Sequence, residues 1–173
     1  KAQLKTNKSS ANTIVTNATR TVASDTRNVV YLKNTSKIAG KKYVAVLDNR
    51  TSLGCIAYDG STYTMDNQPL GKKSLPYREL PAHFNCRSVY VVYLKEAKYL
   101  EDIPPSTRSS MDGQVPATMN FAEFLDRKGK AFQDEVLGKG KAQLWREGKI
   151  NLRQLIDQSG NPLTLKQLKE LDK

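Results

Sequence analysis

Apolar residues change their spacing several times along the chain, and each change marks an element. Within residues 11–33, Ile14, Val15, Ala18, Val22, Val29, Val30 and Leu32 recur at loosely helical intervals, with Arg20, Asp25 and Arg27 between them. That spacing predicts a helix. Its many Thr, Asn and Val residues are poor helix formers, so the helix is expected to depend on tertiary packing. After Gly40 the run 42–47 is rich in β-formers and leads into Asp48-Asn49-Arg50-Thr51-Ser52, whose small polar residues favour a turn. Residues 55–58 and 61–65 are short β-prone runs on either side of Asp59-Gly60, a pattern that predicts a hairpin. Residues 66–81 carry three prolines and Gly71 and read as a surface excursion. The clearest strand is 88–94, apolar on both faces, which predicts a central, covered position.

Residues 103–116 hold three prolines with Ser and Thr throughout, the composition of a linker. Beyond them the period is helical. Thr118 or Asn120 is placed to cap a helix through Phe121, Phe124 and Leu125, and a further helical stretch runs over 131–136. Gly138 and Gly140 interrupt, 142–147 resumes with Gly148 as a C-cap, 150–156 is a short amphipathic piece, and Thr164 caps a last helix with Leu165, Leu168 and Leu171 on one side. The predicted fold class is α+β, with an N-terminal helix, a small mostly antiparallel sheet with a hairpin, and a helical C-terminal tail. Three units follow: a core over 11–100, a linker over 101–117 and the tail over 118–173.

Charge adds a constraint on partners. Lys and Arg number 28 against 17 acids, a formal net charge of +11, which favours contact with polyanions such as nucleic acid without implying base-specific readout. Lys41, Lys42, Lys72, Lys73, Lys128 and Lys130 are the candidate phosphate contacts; the bland alternative is a solvated basic surface. No window approaches the about 18 apolar residues that span a bilayer, and no signal peptide is visible, so the chain is expected to be soluble. Its first residue is Lys1, and it reads as a fragment of a longer protein. Two cysteines are too few for the disulfide framework of a small secreted domain, which points to a cytosolic origin.

Those cysteines carry the candidate chemistry. Cys55, His83 and Cys86 offer two thiols and one imidazole, and the His-x-x-Cys spacing lets two ligands converge on one zinc ion with Cys55 supplied by the preceding hairpin; Asp48 or Asp59 is the candidate fourth ligand. Two buried free thiols are an equal reading. A Cys55–Cys86 disulfide is a third, disfavoured by assembly in a reducing cytosol. A thiol nucleophile with His83 as base is geometrically permitted, but no signature of a thiol hydrolase accompanies it, so no catalytic residue is assigned. Asp48, Arg50 and Arg87 read as a charge-assisted network pinning the turn to the strand, since the guanidinium fork matches a carboxylate. Phe121, Phe124, Phe132 and Trp145 read as core of the tail.

The blocks Asp48-Asn49-Arg50-Thr51-Ser52, Cys55, Asp59-Gly60 and His83-Phe84-Asn85-Cys86-Arg87 stand in the order that marks the Mu F-like head-morphogenesis family of tailed phages, and the chain resembles the C-terminal part of such a minor head protein. Segments 109–116, 132–138 and 163–168 also resemble the tails of phage minor head proteins. Relatives often carry Cys-Arg-Cys where this chain has Cys86-Arg87-Ser88. The resemblance implies a structural component of the virion head interior, made in the host cytoplasm, associated with portal, capsid or scaffold proteins, lying near packaged DNA and assisting head assembly or genome delivery. The tail after Pro116 is the expected portal, scaffold or capsid contact, because short amphipathic helices joined by glycines often need a partner to cover their apolar faces. Two other classes are a phage-linked effector enzyme and a stand-alone non-specific DNA-binding protein.

Overall fold

A computed structural model describes residues 2–71, 74–95 and 106–171. The first element, α1 (Ala2–Leu32), is followed by strand β1 (Ile38–Val44), helix α2 (Leu53–Tyr58), strands β2 (Thr62–Tyr63), β3 (Pro69–Leu70) and β4 (Val89–Leu94), a hairpin of β5 (Thr107–Ser110) and β6 (Gly113–Pro116), and helices α3 (Phe121–Asp126), α4 (Lys130–Leu137), α5 (Lys139–Arg146) and α6 (Leu165–Leu171), with a 3₁₀ turn at Leu152–Leu155. The architecture is α+β, as the patterning predicts. A four-stranded antiparallel sheet runs in the order β3-β2-β1-β4.

The sheet differs from the predicted one in two places. The well-patterned strand β4 is an edge strand, and β1 is the inner one, paired to β4 from Ile38↔Leu94 to Val44↔Val89 and to β2 through Lys41↔Tyr63. Tyr90 points into the core while Val91 and Tyr93 remain partly open, so the apolar residues of β4 serve two different surroundings. Gly40 lies at a register shift in β1 where the chains come very close: a Cβ there would sit 2.5 Å from the Tyr63 carbonyl oxygen and 2.5 Å from the Tyr93 hydroxyl.

The second difference concerns the predicted hairpin at Asp59-Gly60. Residues Leu53–Tyr58 form a helix, and Gly60, at φ 80°, turns its end into β2. A fully buried run of this length gives no periodic signal to separate strand from helix. The Ser52 cap and burial of Gly54 through Tyr58 on every side decide for helix. The hairpins lie elsewhere, at β2–β3 and β5–β6.

One continuous core joins the sheet to everything after it. Tyr43, Leu47, Ile56 and Tyr63 share a buried cluster with Phe121, Phe124, Leu125, Leu155 and Leu168. On the sheet side the rings of Tyr43, Tyr63, Tyr77 and Tyr90 meet edge-on or stacked at centroid distances of 5.3 to 5.7 Å. The Pro- and Ser-rich stretch read as a linker is strand-paired over 107–116, and it docks beside the end of β1 through Leu47 N–H to Ser109 O (3.2 Å) and Met111 N–H to Leu47 O (2.9 Å). Residues 101–105 of that stretch lie outside the described residues. The tail helices cover their own apolar faces inside this core, which is the opposite of the open faces expected of them.

α1 is built the other way round. Thr13, Thr16, Asn17, Arg20, Ala23, Ser24, Asn28 and Tyr31 form its half-buried side. Ile14 (65% exposed), Val15 (64%), Val22 (65%), Val29, Val30 and Leu32 face solvent. Contact with the body is polar, through Tyr31 Oη donating to the Tyr90 carbonyl (3.2 Å) and Asn17 Oδ1 accepting from Asn85 N–H (3.0 Å). Thr13, Thr19, Thr21 and Thr26 hydroxyls donate to carbonyls one turn back, so these weak helix formers keep their polar groups satisfied.

Candidate functional site

Two local structures bring Cys55, His83 and Cys86 together. Ser52, extended at φ −64° and ψ 151°, caps α2, and its Oγ accepts from the Cys55 N–H (3.3 Å), which fixes Cys55 in the first turn with its side chain buried. His83 to Cys86 form a turn closed by Cys86 N–H to His83 O (3.1 Å). Asn85 in that turn has φ 60°, a left-handed conformation asparagine tolerates better than most residues, and Asn17 of α1 holds its N–H. The two ends of His-x-x-Cys are thereby aimed at Cys55.

Cys55 Sγ lies 3.2 Å from His83 Nε2 and 3.9 Å from Cys86 Sγ, and all three donor atoms fall within 4.8 Å of one another. His83 Nδ1 is 2.8 Å from the Phe84 carbonyl oxygen. A carbonyl only accepts, so Nδ1 carries a hydrogen and Nε2 is the ring nitrogen turned toward Cys55 Sγ. Ser52 Oγ is 2.9 Å from Nε2, and the buried Tyr43 hydroxyl donates to Cys55 Sγ at 3.2 Å. The Cys55 thiol is pulled below its ordinary value, first by the hydrogen bond from Cys86 and then, against the opposing effect of burial, by those from Ser52, Ser88 and Tyr43. Cys86 keeps the shared proton and is pushed well above its ordinary value, by that same bond and by burial. The cluster therefore favours one thiolate and one thiol. Both cysteines are free and buried. The recess beside them, lined by Ser52, Cys55, His83 and Arg87, holds about 10 Å³, room for one water and too little for a substrate group.

The predicted charge network is present in part. Arg87 grips Asp48 with both arms, Nη1 to Oδ2 at 2.5 Å and Nη2 to Oδ1 at 2.8 Å, and Thr51 Oγ1 donates to Oδ1 at 3.0 Å. Arg50 contributes its backbone N–H to Asp48 Oδ1 (3.0 Å), while its residue is exposed. Neither proposed fourth ligand joins the Cys–His cluster. Asp48 is engaged by Arg87, and Asp59 is engaged by Arg108 from β5, Nη2 to Oδ1 at 2.7 Å and Nη1 to Oδ2 at 3.1 Å. Asp59 also accepts from Ala45 N–H and Phe121 N–H (both 2.9 Å), and Arg108 donates to the carbonyls of Met119 and Ala45. This buried latch ties β1, α2, β5 and α3 together; nothing in the local pattern around Arg108 marks it, because its partner lies far back in the chain.

The candidate phosphate contacts scatter. Lys41 is buried, 3% exposed, with its ammonium 4.5 Å over the Tyr77 ring and 5.2 Å over Tyr90, and burial lowers its pKa; a side chain so placed is unavailable to DNA. Lys42 is half-buried and Lys130 exposed. Lys128 pairs with Asp112 and lies over Phe124 and Phe132. Lys72 and Lys73 lie outside the described residues. Tyr43, Ser52 and Ser88, which sequence reasoning did not assign to the cluster, are brought to it by the fold.

No helix among the described residues is long and apolar enough to cross a membrane. No curated protein and no solved structure matches the chain. The family model described as phage Mu protein F like protein matches residues 1–91, from α1 into β4, and so takes in the capped α2, the His83–Cys86 turn and the Asp48–Arg87 pair. Segments 109–116, 132–138 and 163–168 fall outside the matched residues. With more than half of its length matched, the chain belongs to the phage Mu protein F like family of phage head proteins.

Proposed function

We propose that this chain is a minor head protein of a tailed phage, held in the head by the outward face of α1, which packs on the portal and helps assemble the head or deliver its genome. The observation that supports this reading is the inversion of α1. A helix that turns Ile14, Val15, Val22 and Val29 to solvent while meeting its own body through polar residues is shaped for a protein partner. The flanks of the stripe are basic, with Lys8, Arg27 and Lys33 exposed, so the matching face is an apolar helix or groove with acidic borders. The tail after Pro116 has its apolar residues in the core and is the weaker candidate for this contact.

Replacing Val15, Val22 and Val29 together by serine is expected to leave the melting temperature of the purified chain nearly unchanged and to deplete the protein from heads made by phage carrying the variant. Normal incorporation into heads would end this reading. The net charge supports a position against packaged DNA, by non-specific phosphate contact. Duplex binding by the purified chain should fall steeply as salt is raised and show no preference among sequences.

A further inference from the structure

The Cys55–His83–Cys86 cluster has the dimensions of a metal site. A tetrahedral ion with metal–sulfur bonds of about 2.3 Å and a metal–nitrogen bond of about 2.0 Å sets its ligands about 3.8 Å apart for sulfur to sulfur and about 3.5 Å for sulfur to nitrogen. Cys55 Sγ stands 3.9 Å from Cys86 Sγ and 3.2 Å from His83 Nε2, and all three donor atoms lie within 4.8 Å of one another. The imidazole is oriented as a ligand, with Nδ1–H given to the Phe84 carbonyl, the outer hydrogen bond that ligating histidines characteristically make, and Nε2 turned toward Cys55 Sγ and Ser52 Oγ. Two thiolates would neutralise a divalent ion, and the two carboxylates that the sequence offered as a fourth ligand, Asp48 and Asp59, are held by Arg87 and Arg108.

From this geometry we infer that Cys55, His83 and Cys86 bind one zinc ion. Soft sulfur and imidazole donors converging on one point select zinc over magnesium or calcium, which take oxygen ligands. The fourth position falls to an oxygen: Ser52 Oγ, 2.9 Å from Nε2, or a water in the small recess beside it. Ser88 also lies within hydrogen-bond reach of Cys55, so a thiol introduced there would stand next to the ion. Bound zinc would fasten α2 to the turn before β4 across a gap that Ser52 and Cys55 span only with hydrogen bonds to His83 and Cys86. The inference is independent of the assembly role, because it is read on the purified chain alone.

The test is metal analysis of the full chain purified without chelator, followed by replacement of zinc with cobalt(II). About one zinc per chain is expected, with the near-ultraviolet sulfur-to-cobalt band and strong visible absorption of a tetrahedral site. Cys86→Ser and His83→Ala should lower the zinc content by about tenfold. Because those variants can also disturb folding, Ser88→Cys serves as the gain-of-ligand arm: it should keep the zinc, intensify the sulfur-to-cobalt band and resist a competing chelator at least about tenfold better. Wild-type protein with under about a tenth of an equivalent of zinc and no cobalt spectrum overturns the inference, whether its two thiols titrate freely or prove to be joined as a disulfide.

Discussion

Asp48 and Asp59 are both buried carboxylates gripped by an arginine, yet they respond to different perturbations. Burial alone would raise the Asp48 pKa, but the hydrogen bonds from Arg87, Thr51 and the Arg50 N–H outweigh it and hold the folded carboxyl below its ordinary value. A carboxyl depressed in the folded state stabilises the fold fully above the unfolded pKa of about 3.9, and that stabilisation is lost as pH falls through the lower folded value. Denaturant midpoints measured from about pH 6 down to about pH 2 should therefore drop at the acid end, and Asp48→Asn should flatten that drop while lowering the neutral-pH midpoint. Asp59 and Arg108 are more deeply enclosed, with side chains 1% and 5% exposed. Removing one member strands the other, so Arg108→Ala should cost about 3–5 kcal/mol in equilibrium unfolding. Replacing both while keeping an acceptor for the Ala45 and Phe121 N–H groups, as Asp59→Asn with Arg108→Met, should recover part of that loss, because the desolvation penalty disappears with the charges.

Helix α2 and strand β1 each hang on one small residue. Ser52 caps α2 and also touches His83, so Ser52→Ala should lower stability by about 1 kcal/mol through the lost cap. Gly40 stands where β1, β2 and Tyr93 converge. Any side chain there must push the Tyr63 carbonyl or the Tyr93 ring aside, and Gly40→Ala should destabilise by about 1–3 kcal/mol in thermal or denaturant unfolding. Local pattern reading gives β4 as a strand but misplaces it in the sheet, and mistakes the type of α2, for related reasons. Both runs are apolar throughout, and period carries no information when every position, or neither face consistently, is buried. The capping residues before α3 and the 3₁₀ turn, by contrast, act locally: Asn120 and Asn151 each form a reciprocal capping box with Glu123 and Gln154. Asn120 is accordingly readable from the chain as the start of a helix.

Among the described residues the core runs without a break from Tyr43 to Leu168, so the molecule is expected to unfold as one cooperative body. Deleting everything after Pro116 would uncover α2 on the side where Ile56 and Ala57 face Phe121 and Leu152, and leave Asp59 without the Phe121 N–H. The truncated chain should lose its cooperative thermal transition by circular dichroism, whereas a cooperative melt close to that of the full chain would show the tail to be an appendage. The exposed stripe of α1 sits outside this core, which is why its substitution is expected to affect assembly and spare stability. The matched residues 1–91 end inside β4, so part of the core around the family's own segment is supplied by the rest of the chain.

The chain by itself determined the α+β class, the capped tail helices, the basic charge and the family blocks at Asp48–Cys55 and His83–Arg87, since each depends on spacing or composition within a short window. It also determined that Cys55, His83 and Cys86 belong together, because these residue types are scarce here and His-x-x-Cys brings two of them within reach. Tertiary structure alone decided what surrounds them: that Cys55 comes from a helix, that Asp48 and Asp59 are taken by Arg87 and Arg108, that Lys41 is buried under tyrosines, and that α1 turns its apolar side outward. These outcomes depend on partners brought from distant parts of the chain, and a short-range pattern records which residues are apolar or charged without recording what they will meet.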